Sequence, residues 1–136
     1  MAIHVLSTSL PTAQIEVRVP QNHAAHGYVG HPVTETALVD TGATITAISP
    51  SIRKQLQPPP FGTVLYQPRG QHAIWVPTYL VLLVIEPHTH SGRVFPLEVI
   101  EEQPATPGVQ LLLGCDLLRK VVLVWDGPRD RLLLTY

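Results

Sequence analysis

Hydrophobic and polar residues alternate along much of the chain, a pattern that is typical of β-strands. In segment 15–19, IEVRV, apolar side chains occupy every second position, and this period of two predicts a half-buried strand. Further strands are predicted where β-branched and apolar residues cluster between prolines, glycines and polar turn residues. These strands are Thr34–Val39, Ala43–Ile48, Thr63–Tyr66, His72–Ile85, Arg93–Ile100, Val109–Leu113, Val121–Trp125 and Arg131–Tyr136.

Helix is predicted only in short segments. Residues 51–56 are compatible with one helical turn, which the prolines at 58–60 would end because proline donates no backbone hydrogen bond. Asp116 can cap a short helix over Leu117–Lys120. Two hairpins are predicted around the turn residues 67–71 and 126–130. We therefore expect one all-β domain spanning residues 1–136, with at most one real helix near its C-terminal end.

Composition describes a small, apolar and weakly charged domain. The chain has 136 residues, of which 45% are hydrophobic and 14% charged, and its formal net charge is −1. This length is typical of one domain that folds without disulfides or metal, and the charge balance speaks against nucleic acid or an anionic membrane surface as a partner. So few charges on a monomer indicate that some apolar surface is buried against a partner.

The cysteine and the histidines give no sign of a disulfide or a metal site, and the sequence shows no targeting or membrane-spanning segment. The single Cys115 cannot form an internal disulfide, and the N-terminus lacks the features of a signal peptide. The longest apolar run, Tyr79–Ile85, is far shorter than the ~20 residues of a membrane-spanning helix. The histidines in segments 23–31 and 88–90 are irregularly spaced, unlike zinc ligands. We expect a cytoplasmic protein that binds no metal and no cofactor.

The segment ALVDTGAT, residues 37–44, places a carboxylate between an apolar strand and a tight glycine turn. Burial in such surroundings favours the neutral form of an acid, and Gly42 allows another backbone to approach closely. An Asx-turn at the end of a strand is also compatible with Asp-Thr-Gly. The tripeptide alone leaves open whether Asp40 is structural or catalytic.

Three features, taken in order, resemble the retropepsin-like branch of the aspartic proteases. Residues 37–44 are similar to the active-site motif of that family. Residues 112–118, LLGCDLL, resemble its second signature, in which two apolar residues and a glycine lead into a helix. The hairpin at 68–70 lies where the family has its flap. The resemblance covers about residues 13–136 and implies a retropepsin-like acid protease fold, a closed or partly open β-barrel with a flap hairpin and one short C-terminal helix.

The resemblance implies an aspartic endopeptidase that is active as a homodimer on extended segments of a peptide or protein substrate. Its chemistry needs two carboxylates that share a proton and activate a water, and each chain supplies one Asp40. By similarity, Thr41 hydrogen-bonds across the two-fold axis and Gly42 lies where the substrate backbone approaches. The substrate-binding candidates are Ala43, Thr44, Pro68, Arg69, Gly70, Gln71, Ile74, Leu112 and Leu113.

The sequence departs from the retroviral pattern at two positions. Many retroviral members carry Asp at the position of Thr44 and Arg at that of Cys115, where they form an ion pair. Losing both charges costs far less than stranding one, so we expect Thr44 and Cys115 to lie near each other, joined by neutral contacts. The flap also has fewer glycines than retroviral flaps, which would make it stiffer or change how it closes.

The role of the C-terminal segment is open between two interpretations. Residues 131–136 are expected to pair with the second subunit, as terminal strands do in this family. The alternative is an internal hairpin that packs on its own core.

Two other functions are compatible with the same motifs. A catalytically idle dimeric module would bind peptides or mediate assembly, although a scaffold has no need of a carboxylate pair. A protease domain excised from a longer polyprotein would carry the same signatures.

Overall fold

The structure, a computed structural model, describes residues 3–6 (backbone only), 11–20, 31–85 and 92–136. This part of the chain contains ten strands and two α-helices. The strands are β1 (Ile3–Leu6), β2 (Thr12–Arg18), β3 (Val33–Val39), β4 (Ala47–Ile48), β5 (Pro60–Tyr66), β6 (Ile74–Ile85), β7 (Arg93–Glu101), β8 (Leu111–Leu113), β9 (Val122–Asp126) and β10 (Arg131–Thr135), and the helices are α1 (Pro50–Leu56) and α2 (Cys115–Leu118).

Six strands close into a barrel, which confirms the predicted fold class. The strands are hydrogen-bonded in the order β2-β3-β8-β4-β7-β6, and β6 pairs again with β2. Two pairs, β3 with β8 and β4 with β7, are parallel, and the other pairs are antiparallel. The closure is uneven, because β7 pairs with β6 along residues 93–99 but meets β4 only at Ile100 and Glu101.

The flap hairpin (residues 60–79) extends from the barrel where β5 pairs with the first half of β6. Its tip turns at Gly70, which has a φ of 74°, a left-handed conformation that glycine adopts without steric cost. The amide of Gln71 donates to the carbonyl of Pro68 at 3.0 Å and closes this turn. The predicted hairpin is therefore present, with a loop of residues 67–73 between its strands.

The barrel interior is filled by aliphatic side chains from every strand of the barrel. Ile15, Val17 and Leu83 are at most 1% exposed. Glu16, expected on the polar face of β2, is also buried, at 7% exposed. Its cross-strand neighbours are Thr34 on β3 and Val84 on β6, and its carboxylate is neutralised by Arg18.

The helices differ from the expected single C-terminal helix. Helix α1 has seven residues: the hydroxyl of Ser49 caps it by accepting from the amide of Ile52 at 3.2 Å, and Ile52 and Leu56 are buried. Helix α2 begins at Cys115, two residues before the predicted start, and its N-cap is Gly114. Asp116 lies inside the first turn and does not cap the helix. The predicted strand at 43–48 is confirmed only for its last two residues.

The C-terminal strand lies inside a sheet of its own chain, so the expected intersubunit pairing of residues 131–136 is wrong. Strand β10 pairs with β1 on one edge and with β9 on the other. Leu132 and Leu134 are 3% and 1% exposed within the core. With both edges occupied, β10 has no free backbone groups to offer a second subunit. The alternative interpretation, an internal hairpin, is correct.

Metal-binding clusters and membrane-spanning helices are absent from the described ranges. No group of three or more His, Cys, Asp or Glu side chains there is placed to hold a metal ion. No helix in these ranges has the length and apolar character needed to cross a membrane. Four of the histidines considered in the sequence, His23, His26, His88 and His90, lie outside the described residues.

Candidate active site

Asp40 is the residue directly after β3, one of two adjacent parallel strands of the barrel. Strand β3 ends at Val39 and pairs in parallel with β8, which ends at Leu113. The amide of Asp40 donates to the carbonyl of Leu113 at 3.0 Å. The chain then turns, and the amide of Ala43 donates to the carbonyl of Asp40 at 3.2 Å. The apolar strand and the Asp-Thr-Gly turn of the sequence thus place one carboxylate at an end of the barrel.

The Asp40 side chain is fixed by its own loop. Its Oδ1 atom accepts a hydrogen bond from the amide of Gly42 at 2.9 Å. A Cβ atom at position 42 would lie 3.2 Å from this oxygen, a distance that a real side chain tolerates only if the neighbour moves. Asp40 is half-buried, whereas Thr41 and Gly42 are exposed. The Asp40 loop (residues 40–45) therefore presents a held carboxylate at an open surface.

Helix α2 is hydrogen-bonded to the Asp40 loop through its first residue, Cys115. The amide of Cys115 donates to the carbonyl of Ala43 at 2.8 Å, and its thiol donates to the carbonyl of Thr41 at 3.3 Å. Thr44 is the residue next to Ala43, so Cys115 bonds to the immediate neighbourhood of Thr44 through neutral groups. These contacts support the expectation that no ion pair joins the loop to the helix at these two positions.

The charged contact of this region joins Thr46, two residues after Thr44, to Asp116, the residue after Cys115. The carboxylate of Asp116 accepts from the amide of Thr46 at 3.0 Å and from its hydroxyl at 2.6 Å. The amide of Gly114 donates to the same hydroxyl at 3.0 Å. Sequence reasoning gave Asp116 only a capping role and did not consider Thr46. No local pattern connects the two residues, because they meet only when β8 returns beside β4.

A cavity of about 790 Å³ lies between the Asp40 loop and the flap hairpin. Its lining contains acidic, basic, hydroxyl and apolar side chains, so it offers both charge recognition and apolar contact. The lining residues are Asp40, Gly42, Ala43, Thr44, Ile45, Leu65, Tyr66, Gln67, Arg69, Glu102 and Leu112.

A tyrosine and a glutamate are hydrogen-bonded to each other in the wall of this cavity. Tyr66 ends β5, and its hydroxyl donates to Glu102 Oε2 at 2.6 Å. Burial, the hydrogen bond to Glu102 and the negative charges of Glu102 and Asp40 raise the pKa of Tyr66 to about 12. Both carboxylates therefore act on the tyrosine hydroxyl, which stays protonated throughout the neutral range.

A solved structure has a similar fold along the whole length of this chain. The crystal structure of a retropepsin-like aspartic protease from Rickettsia conorii is similar with a TM-score of 0.51 and 17% sequence identity, covering 100% of this chain and 96% of that chain. The chain has the retropepsin-like fold. The retroviral protease-like domain of Ddi1 from Leishmania major is similar with a TM-score of 0.47 and 16% identity, over 88% of this chain and 86% of that one. No protein-family profile and no curated protein sequence matches the chain.

The retropepsin-like fold brings half of the residues selected from the sequence together around the cavity. These six residues are Asp40, Gly42, Ala43, Thr44, Arg69 and Leu112. Thr41 is exposed beside the cavity on the Asp40 loop, and Pro68, Gly70, Gln71 and Ile74 lie on the flap hairpin outside its lining.

Leu113 does not fit the expected subsite role, because its side chain is fully buried in the core. Successive side chains of a strand point to opposite faces. On β8, Leu111 and Leu113 therefore point into the core, and Leu112 between them faces the cavity. Strand alternation alone was sufficient to make this distinction from the sequence.

Five lining residues were not selected from the sequence: Ile45, Leu65, Tyr66, Gln67 and Glu102. Leu65, Tyr66 and Gln67 directly precede the predicted flap tip, so extending the flap towards the N-terminus would have included them. Glu102 had no such signal. It reaches the cavity because β7 pairs in parallel with β4, and its amide donates to the carbonyl of Ile48 at 2.9 Å.

Proposed function

We propose that this protein is an aspartic endopeptidase whose active site forms when two copies of the chain associate. The observation that carries the proposal is the Asp40 carboxylate, which is held by the Gly42 amide at 2.9 Å and faces a cavity beneath a hairpin flap. An ordinary Asx-turn would account for the hydrogen bond. It would not account for the cavity next to the carboxylate, or for the flap hairpin that lines the opposite side of that cavity.

The second copy supplies the second carboxylate of the reaction. The described residues place one Asp-Thr-Gly loop in the chain, and the other acid of the cavity, Glu102, is hydrogen-bonded to Tyr66. Thr41 and Gly42 are exposed on the Asp40 loop. A two-fold axis beside this loop would bring the two copies of Asp40 together and cover the exposed residues in an isologous contact.

The proposed mechanism is general acid and base catalysis by the Asp40 pair. Two carboxylates within hydrogen-bonding distance hold one proton between them, because ionising both at such close range is costly. The ionised Asp40 removes a proton from a water molecule, whose oxygen attacks the scissile carbonyl carbon. The protonated Asp40 donates to the carbonyl oxygen. When the tetrahedral intermediate breaks down, the protonated carboxyl gives its proton to the leaving amine and the other carboxylate takes a proton from a hydroxyl of the intermediate. The carbon–nitrogen bond breaks, the new carboxyl group is released, and the pair again holds one proton.

The other selected residues have binding roles in this proposal. Ala43 and Thr44 continue the wall beside Asp40, and Leu112 supplies an apolar surface next to them. The flap tip at residues 68–71 would close over an extended peptide and exclude water from the reacting groups.

The decisive experiment compares wild type with Asp40→Asn. Both are incubated with a mixed peptide library between about pH 4 and 7, where an aspartic pair can hold one proton, and cleavage is read by mass spectrometry. Sedimentation measured in parallel identifies the concentrations at which the chain is dimeric. We expect cleavage by wild type at those concentrations and none by Asp40→Asn.

Asp130→Asn is the matched control. Asp130 is exposed on the C-terminal hairpin with a φ of 47°, a conformation that asparagine also adopts readily. The control should cleave like wild type. A dimeric wild type that cleaves nothing, or equal cleavage by wild type and Asp40→Asn, would refute the proposal. Peptide binding without cleavage would instead support an idle binding module.

A further inference from the structure

Glu102 is a carboxylate that the enzyme mechanism proposed above does not use. It is half-buried in the cavity wall, and its backbone is anchored by the 2.9 Å hydrogen bond from its amide to Ile48. Its Oε2 atom accepts from the Tyr66 hydroxyl at 2.6 Å. Among the described residues, no Lys, Arg or His lies within ion-pair distance of Glu102.

Glu101, the residue before Glu102, provides a comparison, because its carboxylate has a structural partner. Glu101 forms an ion pair with Arg53 of helix α1, so its charge is already balanced. Glu102 carries the same charge without such a partner, and one neutral hydroxyl leaves most of the acceptor capacity of a carboxylate unused. A carboxylate at a cavity wall makes its strongest hydrogen bonds with cationic donors.

The hydrogen bond from Tyr66 restricts the position of the Glu102 carboxylate. A tyrosine hydroxyl is protonated at every pH at which the proposed chemistry runs, so it can donate to Glu102 at 2.6 Å throughout that range. The bond also joins the flap hairpin to the barrel, since Tyr66 ends β5 and Glu102 follows β7. The carboxylate is thereby fixed in position before a ligand arrives, which reduces the entropic cost of binding.

The other charged groups of the cavity are Asp40 and Arg69. Asp40 is a second carboxylate in the lining of the same cavity. Arg69 is exposed at the flap tip and forms no ion pair with either acid. A cationic side chain that enters the cavity beside Tyr66 therefore meets the Glu102 carboxylate, which no basic side chain of the described residues neutralises.

We propose that Glu102 is a specificity-determining residue and that, positioned by Tyr66, it forms a subsite for a lysine or arginine side chain of the peptide substrate. The inference rests on the proposed endopeptidase function and names a substrate class for the same cavity. Apolar contacts from Leu65 and Leu112 would accept the methylene stem of such a side chain, as long cationic side chains require.

The test measures binding in the Asp40→Asn background, so that cleavage does not remove the ligand. Two fluorescent peptides with identical sequence except for lysine or norleucine at one position are titrated and followed by anisotropy, and the position is moved along the peptide. We expect the lysine peptide to bind about tenfold more tightly at one position. Glu102→Gln should bring the ratio of the two affinities close to one, and Tyr66→Phe should reduce it severalfold.

Two further variants show whether the effect belongs to this carboxylate. Glu102→Lys should reverse the preference towards a glutamate peptide, which a merely destabilised cavity would not do. Glu98→Gln is the matched control, because Glu98 is exposed and lies outside the cavity, and it should leave the ratio unchanged. A lysine preference that survives Glu102→Gln, or an equal loss for both peptides, would overturn the inference.

The two proposals fail in different ways. If wild type cleaves peptides but shows no preference for a cationic side chain, the specificity inference is wrong and the endopeptidase proposal stands. If the preference is measured but wild type cleaves nothing, the binding subsite stands and the endopeptidase proposal is wrong. Complete loss of cleavage in Glu102→Gln for every peptide would overturn the inference, because it would assign Glu102 to the chemistry.

Discussion

Thr46 and Asp116 are 70 positions apart in the sequence and are joined by two hydrogen bonds. The amide and the hydroxyl of Thr46 each donate to a different oxygen of the Asp116 carboxylate, at 3.0 and 2.6 Å. The same hydroxyl accepts from the amide of Gly114 at 3.0 Å. One buried threonine thus connects the chain that leaves the Asp40 loop to the start of helix α2.

Thr46→Val tests this connection, because valine has nearly the same shape and no hydroxyl. The substitution leaves the Gly114 amide without its acceptor and removes one of the two bonds to Asp116. We expect the free energy of unfolding, measured with urea, to fall by about 1–3 kcal/mol.

Thr46→Ser is the control for this prediction, because it keeps the hydroxyl and both of its hydrogen bonds. It should lose less stability than Thr46→Val, through its missing methyl group alone. Equal losses for the two variants would mean that the hydroxyl contributes nothing to the connection.

Gly114 is a second close contact between the start of helix α2 and the end of the Asp40 loop, because the two backbones pack directly against each other there. A Cβ atom there would lie 2.6 Å from the carbonyl carbon of Ile45 and 2.9 Å from the amide of Thr46. Both are backbone atoms, so Gly114→Ala must push the two segments apart. We expect a loss of about 1–3 kcal/mol in urea unfolding, together with loss of peptide cleavage because the Asp40 loop is displaced.

Gly127→Ala provides the comparison for Gly114→Ala. A Cβ atom at Gly127 meets nothing within 4 Å, and the residue lies in an exposed turn. The variant should keep the stability of wild type to within about 0.5 kcal/mol. If the two alanine variants unfold at the same urea concentration, the close packing at Gly114 is not a constraint.

The individual strands and the flap hairpin could be predicted from the sequence because their information is local, whereas the closed barrel was implied by the resemblance to the retropepsin-like proteases. The period of two in segment 15–19 and the turn residues at 68–70 each fix a strand or a hairpin without reference to distant residues. The Asp-Thr-Gly turn is equally local, and Asp40 lies where its flanking strand predicts.

Contacts between segments that lie far apart in the sequence could not be predicted from it. Nothing near Glu102 indicates that the parallel pairing of β7 with β4 will bring it to the cavity. The link between Thr46 and Asp116 is hidden for the same reason. The apolar residues 132–134 favoured an intersubunit strand but were also compatible with an internal strand, and only the pairing of β10 on both edges decides between them.

Tyr66 gives a spectroscopic test of the contact between the flap hairpin and the barrel. Its pKa is raised from 10.0 to about 12 by burial and by its bond to Glu102, so the folded state keeps this proton at a pH where the unfolded state loses it. Stability from this group is fully present below about pH 10 and is lost as pH rises towards 12. An absorbance titration of tyrosinate should show a component with a midpoint near 12.

Two variants assign that component. Tyr66→Phe should remove it, and Glu102→Gln should move its midpoint down towards the ordinary value because the carboxylate charge is gone. If Tyr66→Phe still shows the absorbance change with a midpoint near 12, that change belongs to another tyrosine. This result would contradict the contact between Tyr66 and Glu102.

Leu134→Ala tests whether β10 is part of the single chain's core. Leu134 is 1% exposed, whereas Val124, on the neighbouring strand β9, is 44% exposed. Truncating the buried leucine should lower the free energy of unfolding by about 2–5 kcal/mol, and Val124→Ala should change it by less than about 0.5 kcal/mol. Both variants are compared with wild type by urea unfolding at two protein concentrations, tenfold apart.

The concentration dependence separates the two arrangements of β10. If β10 pairs only with β1 and β9 of its own chain, the loss caused by Leu134→Ala is the same at both concentrations, because the broken contacts are intramolecular. If β10 were an intersubunit strand, the variant would chiefly weaken association. Its apparent loss of stability would then grow on dilution, since the folded dimer is favoured by mass action. A loss that grows on dilution, together with wild-type stability at high concentration, would contradict the pairing of β10 within one chain.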